Sequence, residues 1–270
     1  MDFGELHDRL VADGYSDDTA YAKIAHDIVL KAIRDAGFHD NLTVKGGLVM
    51  SEITNVARRA TMDMDLDFLH YPLSNAAIRK FVAGLNRVAQ CKIRVHGTIL
   101  DLRQQEYKGK RVYLQMEDTG GIQIYTKLDI GVHTRVEVVQ SDFPFKVIMD
   151  DSTVMLLVNS KEQIFIEKLK SLLRFGAAST RYKDIFDLCY LSERVRSRMI
   201  YDFLKMYVLD DDAMRERSVA DVVKRLERIF SSKRFMRGLA NPSNAWLTTS
   251  HEEATSRIVA FVELLQEYSA

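Results

Sequence analysis

The sequence TMDMDLDFL at residues 61–69 alternates apolar and acidic side chains. Successive side chains of a β-strand point to opposite faces, so Asp63, Asp65 and Asp67 would share one face of a strand. Carboxylates at positions i and i+2 lie about 6 to 7 Å apart along a strand, close enough to share divalent metal ions. A half-exposed strand alternates in the same way when its polar face only meets water, so a hydrated face is the alternative.

A glycine turn precedes this strand, and an isolated aspartate follows it. Lys45-Gly46-Gly47 links a short strand-like run to a helical pattern, and the backbone N–H groups of such a turn can receive a phosphate. Asp129 lies in a later, otherwise apolar strand. An ordinary turn and a strand-end aspartate are the alternatives for each feature alone. Together, a glycine turn, an Asp-x-Asp strand and a distant aspartate form the arrangement that two-metal phosphoryl transfer requires.

Composition excludes several classes of protein. The 270 residues are 47% hydrophobic and 28% charged, which is typical of a compact globular protein. Lys plus Arg and Asp plus Glu both total 38, so net charge does not indicate a nucleic-acid partner. There is no apolar run of about 20 residues and no leader-like start, so we expect a cytoplasmic protein. Cys91 and Cys189 are not expected to form a disulfide.

The remaining pattern predicts an α+β protein with two lobes, a core lobe over residues 1–152 and a helical lobe over 153–270. A long amphipathic helix is predicted to start after Ser16 and to end near Gly37. Further helices are predicted at 48–56, 74–90, 159–175, 181–195, 197–208, 216–231 and 251–268, and strands at 42–44, 61–69, 93–103, 111–117 and 121–132.

Other motifs give little support to rival chemistries. The histidines do not cluster as zinc ligands, and His70 and His133, which follow the acidic strands, are interpreted as strand-end polar residues. P-loop, Rossmann and G-x-S-x-G patterns are missing from the sequence. The basic residues between 224 and 237 could bind RNA phosphates or simply form a solvated helix face.

The segment Lys45-Gly46-Gly47, followed by RATMDMDL at residues 59–66, resembles the signature of AbiEii-type nucleotidyltransferases. These are toxins of type IV toxin–antitoxin systems and are related to the MenT toxins. The sequences EKL at 167–169 and RYKDIFDL at 181–188 resemble later motifs of the family, so the resemblance covers roughly residues 42–191. It implies a DNA polymerase β-like nucleotidyltransferase core with a helical C-terminal lobe.

The resemblance also implies roles for individual residues. Asp63 and Asp65 would hold Mg²⁺, or Mn²⁺ in its place, and Asp129 would complete the metal site and orient or deprotonate the attacking hydroxyl. Lys168 would contact the triphosphate of an NTP, and Asp184 would be the last essential acid. A solvated helix lysine is the alternative for Lys168, and an ion-pair cluster within one helix is the alternative for Asp184.

Nucleotide binding is expected at Lys45-Gly46-Gly47, Arg59 and Thr61, with Lys168 from the second lobe. Arg59 and Thr61 could position a phosphate or simply pair with the acidic strand. The sequence departs from many nucleotidyltransferases at Leu48, where Ser or Thr commonly follows the glycine turn. A hydroxyl contact to the phosphate is therefore missing at that position.

The expected function is Mg²⁺-dependent transfer of a nucleoside monophosphate from an NTP to the 3′ end of a tRNA, by a type IV toxin. The cognate antitoxin of such a toxin need not bind it directly. The same catalytic core permits a protein or a small molecule as acceptor. A non-catalytic nucleotide-binding module is the alternative from another class.

Overall fold

The computed structural model describes residues 1–102, 109–132 and 139–269, so predictions for residue 103 and His133 lie outside the described residues. The chain divides into two compact units, Met1–Asn159 and Ser160–Ala270. The first unit extends past residue 152, where we predicted the end of the core lobe. It does so because Thr153–Asn159 is a strand of its sheet.

The first unit combines helices with a mixed sheet. Its helices are α1 (Phe3–Ala12), α2 (Asp17–Asp35), α3 (Gly46–Thr54) and α4 (Asn75–Val88). Its strands are β1 (Leu42–Lys45), β2 (Asp63–Phe68), β3 (Lys92–Leu102), β4 (Gly109–Glu117), β5 (Gln123–Val132), β6 (Gln140–Lys146) and β7 (Thr153–Asn159).

In the described part of the chain the sheet has seven strands, in the order β3-β4-β5-β2-β1-β7-β6. The acidic strand β2 lies at its centre, antiparallel to β1 and parallel to β5. β1 also pairs with β7 in parallel, and the pairs β3/β4, β4/β5 and β6/β7 are antiparallel. The predicted α+β class is confirmed.

One face of the central strands is apolar and fully buried. Val44, Met64, Leu66, Leu128 and Ile130 each have 0% exposure. Helix α2 packs against β5 and α4 packs against β3. Burying a side chain of this size stabilises a fold by about 1.5 to 3 kcal/mol, so the apolar residues of β2 fix which face its aspartates occupy.

Most of the predicted helices and strands of the first unit are confirmed, including the helix that begins after Ser16. The Ser16 side chain accepts a hydrogen bond from the backbone of Thr19 and caps α2. Gly37, with φ +75°, follows the end of this helix in a conformation that glycine adopts readily. Helix α1 and the hairpin of β6 and β7 were not predicted.

In the described residues of the second unit, the regular secondary structure consists of helices joined by turns and irregular segments. Its α-helices are α5 (Lys161–Phe175), α6 (Tyr182–Ser192), α7 (Ser197–Leu204), α8 (Val219–Phe230), α9 (Lys233–Leu239) and α10 (His251–Leu264). All except α9 were predicted, and α7 continues into a π-helical turn at Lys205–Leu209. None of the helices in the described ranges is long and apolar enough to cross a membrane.

Candidate active site

The register of the central strands brings the predicted acids of the first unit together. Asp65 of β2 lies directly opposite Asp129 of β5, and Asp63 is two residues earlier on the same face of β2. Hydrogen-bonded neighbouring strands are about 4.8 Å apart, so these three carboxylates occupy one small area of the sheet. On the other side of β2, Lys45 of β1 is the register partner of Asp65.

The glycine turn closes one end of this area. Gly46 has φ +69° and begins α3 directly after β1. A Cβ at Gly46 would fall 2.3 Å from Oδ2 of Asp65, so only glycine leaves room for the carboxylate. The first N–H groups of a helix have no partner within the helix, and they attract anions. The turn therefore places the N-terminal backbone N–H groups of α3, which have the chemistry to receive an anion, next to Asp65.

Thr61 supplies a hydroxyl beside this turn. A Cβ at Gly47 would fall 2.9 Å from the Thr61 Oγ1 atom, which also accepts a hydrogen bond from the Asp63 backbone N–H at 3.3 Å. Leu48 stands at the position where many nucleotidyltransferases have Ser or Thr. It is 1% exposed and belongs to the core. Thr61 thus offers a hydroxyl that Leu48 cannot provide.

Asp129 and Asp63 have basic partners on neighbouring strands. Arg111 of β4 donates two hydrogen bonds to Asp129, from Nε at 2.8 Å and from Nη2 at 2.7 Å. These hydrogen bonds raise the pKa of the Arg111 guanidinium above its ordinary value. Lys127 of β5 pairs with Asp63 at 2.6 Å. The charges of these acids are therefore compensated within the sheet.

Asp67 supports the site from the same face of β2. It is 5% exposed and pairs with Lys45 at 2.8 Å. A Cβ at Gly131 of β5 would fall 2.3 Å from the Asp67 carboxylate, so this glycine leaves space for the ion pair. Arg59 is 3% exposed, in the short 3-10 helix that leads into β2. Lys45 is therefore held by an ion pair and Arg59 is buried within the first unit, apart from any contact that either residue makes with a nucleotide.

Within residues 1–102, 109–132 and 139–269, no group of three or more His, Cys, Asp or Glu side chains converges as a ready metal site. The donor set nevertheless fits Mg²⁺ or Mn²⁺ in its chemistry. Asp63, Asp65 and Asp129 offer carboxylate oxygens, which hard divalent cations prefer, on one face of adjacent strands. Gly46 leaves the space that the Asp65 carboxylate occupies.

His26 of α2 is a residue of this region that sequence reasoning missed. It is 1% exposed and hydrogen-bonds to the backbone of Met62, the residue before Asp63. Burial lowers the pKa of His26 to about 4, so its imidazole is neutral at pH 7. The sequence signal that could have indicated His26 is its place among the apolar positions of helix α2. His26 holds the start of β2 from the helix side.

The predicted residues of the second unit form an ion-pair cluster there. Lys168 of α5 is 5% exposed and pairs with Asp184 and Asp187 of α6, the latter at 2.9 Å and fully buried. Arg181 pairs with Asp184 at 2.8 Å, as the alternative for this helix predicted. The solvated-lysine alternative for Lys168 is wrong, and its contact with a triphosphate stays a prediction.

A family model described as nucleotidyl transferase AbiEii toxin of a type IV toxin–antitoxin system matches residues 28–248. The chain belongs to this family. The predicted family and the predicted nucleotidyltransferase activity are thereby confirmed. The matched residues include the glycine turn, the acidic strand and the Lys168 cluster. The relation to the MenT toxins stays a prediction.

Among solved structures, this chain is similar to an antigenic nucleotidyltransferase-like protein from Paracoccidioides brasiliensis. The two share 14% sequence identity with a TM-score of 0.40, over 67% of this chain and 87% of the other. A search of curated proteins finds no significant match.

Proposed function

We propose that this AbiEii-family protein transfers a nucleoside monophosphate from an NTP to the 3′ end of an RNA, with tRNA as the acceptor, and releases pyrophosphate. Asp63, Asp65 and Asp129 would hold Mg²⁺, which Mn²⁺ can replace. The observation that carries the proposal is the register of β2 with β5, which sets Asp65 opposite Asp129 beside the glycine turn.

Each side chain of the first unit has a task that follows from its place. Gly46, Gly47 and Thr61 receive the phosphates of the NTP through backbone N–H groups and a hydroxyl. Asp129 accepts the proton of the attacking hydroxyl, while Arg111 fixes its carboxylate by two parallel hydrogen bonds. When bound, the divalent ions neutralise charge on the triphosphate and on the attacking oxygen.

Lys168 and Asp184 are proposed as the contribution of the second unit. Lys168 would compensate charge on the triphosphate, and Asp184 would hold the lysine in place. Because Lys168 lies buried between two carboxylates, its ammonium group is held in place without a bound nucleotide.

The acceptor assignment also rests on the family, whose members are toxins of type IV toxin–antitoxin systems. Adding a nucleotide to the 3′ end of tRNA would block aminoacylation, which accounts for a toxic effect. A cognate antitoxin would oppose this effect without having to bind the toxin.

The test is a transfer assay with each α-³²P-labelled NTP, Mg²⁺ or Mn²⁺, and total tRNA, whole-cell protein or a small-molecule acceptor. We expect labelled tRNA, and we expect Asp63→Asn to lower the rate by on the order of 10²–10³-fold through loss of electrostatic stabilisation. Asp142→Asn, an exposed aspartate of β6, is the matched control and should retain full activity. Equal labelling of tRNA by wild type and Asp63→Asn would refute the assignment, and label in protein alone would refute the RNA acceptor.

A further inference from the structure

The sheet face that carries the catalytic aspartates continues outward over β5, β4 and β3. Strand by strand, Asp63 lies opposite Lys127, Lys127 opposite Tyr113, and Tyr113 opposite His96. Tyr125 precedes Lys127 by two residues and therefore points to the same face of β5. We call His96, Tyr113 and Tyr125 the aromatic face.

The aromatic face is exposed although its strands are well buried on their other side. Tyr113 is 37% exposed and Tyr125 is 53% exposed, whereas Val112 and Leu114 of the same β4 strand are 0% exposed. The rings of His96 and Tyr125 meet edge to face, with centroids 5.2 Å apart. Packing of the core therefore does not account for these aromatic side chains, which present their rings to solvent.

Basic and amide groups surround the aromatic face. Lys92 and Arg94 of β3 are exposed, and both pair with one carboxylate, that of Glu117, at 2.7 and 2.8 Å. Two cations with one anion leave a local positive charge next to the rings. Gln115 and Gln123 are hydrogen-bonded to each other at 2.7 Å between Tyr125 and these cations.

We propose that the aromatic face binds the single-stranded 3′-terminal nucleotides of the RNA acceptor, with bases stacked on Tyr113 and Tyr125. The proposal rests on the proposed function and names the acceptor surface of that same site. Stacking of bases on aromatic side chains, next to a positive groove that follows the backbone, is the general way in which proteins hold single strands. Lys92 and Arg94 supply the positive charge.

The distance to the catalytic aspartates suits this role. Tyr113 lies two strands away from Asp63, which corresponds to about 10 Å at the usual strand spacing. A base stacked on Tyr113 would thus be close to the reacting 3′ hydroxyl at Asp129. The amides of Gln115 and Gln123 can hydrogen-bond to base edges and to 2′-hydroxyl groups, which favours RNA over DNA.

The proposal is tested first by direct binding. Fluorescence anisotropy would measure the affinity of the full chain for an unstructured, end-labelled RNA of the tRNA 3′-terminal sequence, without NTP. The double variant Tyr113→Ala/Tyr125→Ala should bind on the order of tenfold more weakly, because stacking platforms are lost. Tyr113→Phe/Tyr125→Phe keeps both rings and should bind like wild type. Phe175→Ala removes an aromatic side chain of the second unit whose exposure, 52%, is close to the 53% of Tyr125, and it is the matched control.

Steady-state transfer then separates the acceptor from the NTP. The double alanine variant should raise KM for RNA on the order of tenfold, with KM for NTP and kcat at saturating RNA unchanged. An increase in KM for NTP with unchanged RNA affinity would mean that the rings hold the incoming nucleobase, and it would overturn the proposal. Equal affinity for DNA of the same sequence would overturn the assignment to RNA.

Failure of the proposed function gives a different result. If wild type transfers no label to RNA but the alanine variant still loses RNA affinity, the aromatic face stands as an RNA surface and the transfer assignment falls. If wild type transfers label and all variants bind RNA equally, the transfer assignment stands and the aromatic face falls.

Discussion

Acidification should destabilise the first unit through His26. Burial, aided by the nearby charge of Lys23, lowers the pKa of the folded imidazole from 6.5 to about 4. The unfolded chain therefore binds the proton more readily, so the contribution of His26 is fully present above pH 6.5 and is lost as the pH falls toward 4. At 1.36 kcal/mol per pKa unit, the loss is about 3 kcal/mol.

Asp27, the next residue of α2, has the opposite pH dependence. Burial raises its pKa to about 6 despite the hydrogen bond from Lys23, so its contribution is present at low pH and is lost as the pH rises through 6. A comparison of wild type with His26→Gln cancels this effect, because the variant retains Asp27 and Lys23. The difference between the two proteins isolates the imidazole.

The assay is urea unfolding at pH values from about 7.5 to about 4.5, followed by circular dichroism. Fluorescence of Trp246, the single tryptophan of the chain, reports on the second unit and serves as an internal reference. His26→Gln should lose about 2.5 kcal/mol less stability than wild type over this range, since the range ends just above the folded pKa of about 4. Parallel curves for the two proteins would refute the reasoning, because they would mean that His26 titrates alike in the folded and unfolded states.

Gly46→Ala should abolish most transfer activity, because its Cβ would displace the Asp65 carboxylate. Gly37 also has a positive φ, but a Cβ at this position would meet open space. Gly37→Ala should therefore cost about 1 to 2 kcal/mol of stability and leave kcat unchanged. Similar kcat values for the two variants would contradict this reasoning. Lys168→Met should destabilise the second unit by about 3 to 5 kcal/mol, because the buried Asp187 carboxylate would lose the ammonium group that pairs with it. Trp246 fluorescence in urea measures this loss, and an unchanged midpoint would argue against it.

The acidic strand was predictable because its signal is local. Alternation places Asp63 and Asp65 on one face whatever strands lie beside them, and the apolar residues between them select the buried face. The capped start of α2 after Ser16 was predictable for the same reason, since a cap involves residues close in sequence. Lys45-Gly46-Gly47 predicted the turn, and the structure adds that the Asp65 carboxylate occupies the space where a Cβ at Gly46 would lie.

The partners of the acids depend on strand register, which a single sequence does not specify. Arg111 was noted only as the start of a strand, yet β4 pairs with β5 so that Arg111 faces Asp129. Alternation assigns Tyr113 and Tyr125 each to one face of its own strand. It does not show that this face of the sheet also carries the aspartates, because that depends on strand register. The strand Thr153–Asn159 lies beside β1 only through long-range pairing, so the end of the first unit was placed too early in the chain.

The parallel pairing of β2 with β5 has a consequence for when this protein becomes active. The residues of α4, β3 and β4 lie between the two strands in the sequence, so Asp129 can pair opposite Asp65 only after all of them have been synthesised. A ribosome-bound or truncated chain that lacks β5 carries both aspartates of β2 but no third carboxylate and no anchoring arginine pair. The proposed chemistry therefore requires the pairing of β2 with β5, so the activity would arise only after this part of the sheet has folded.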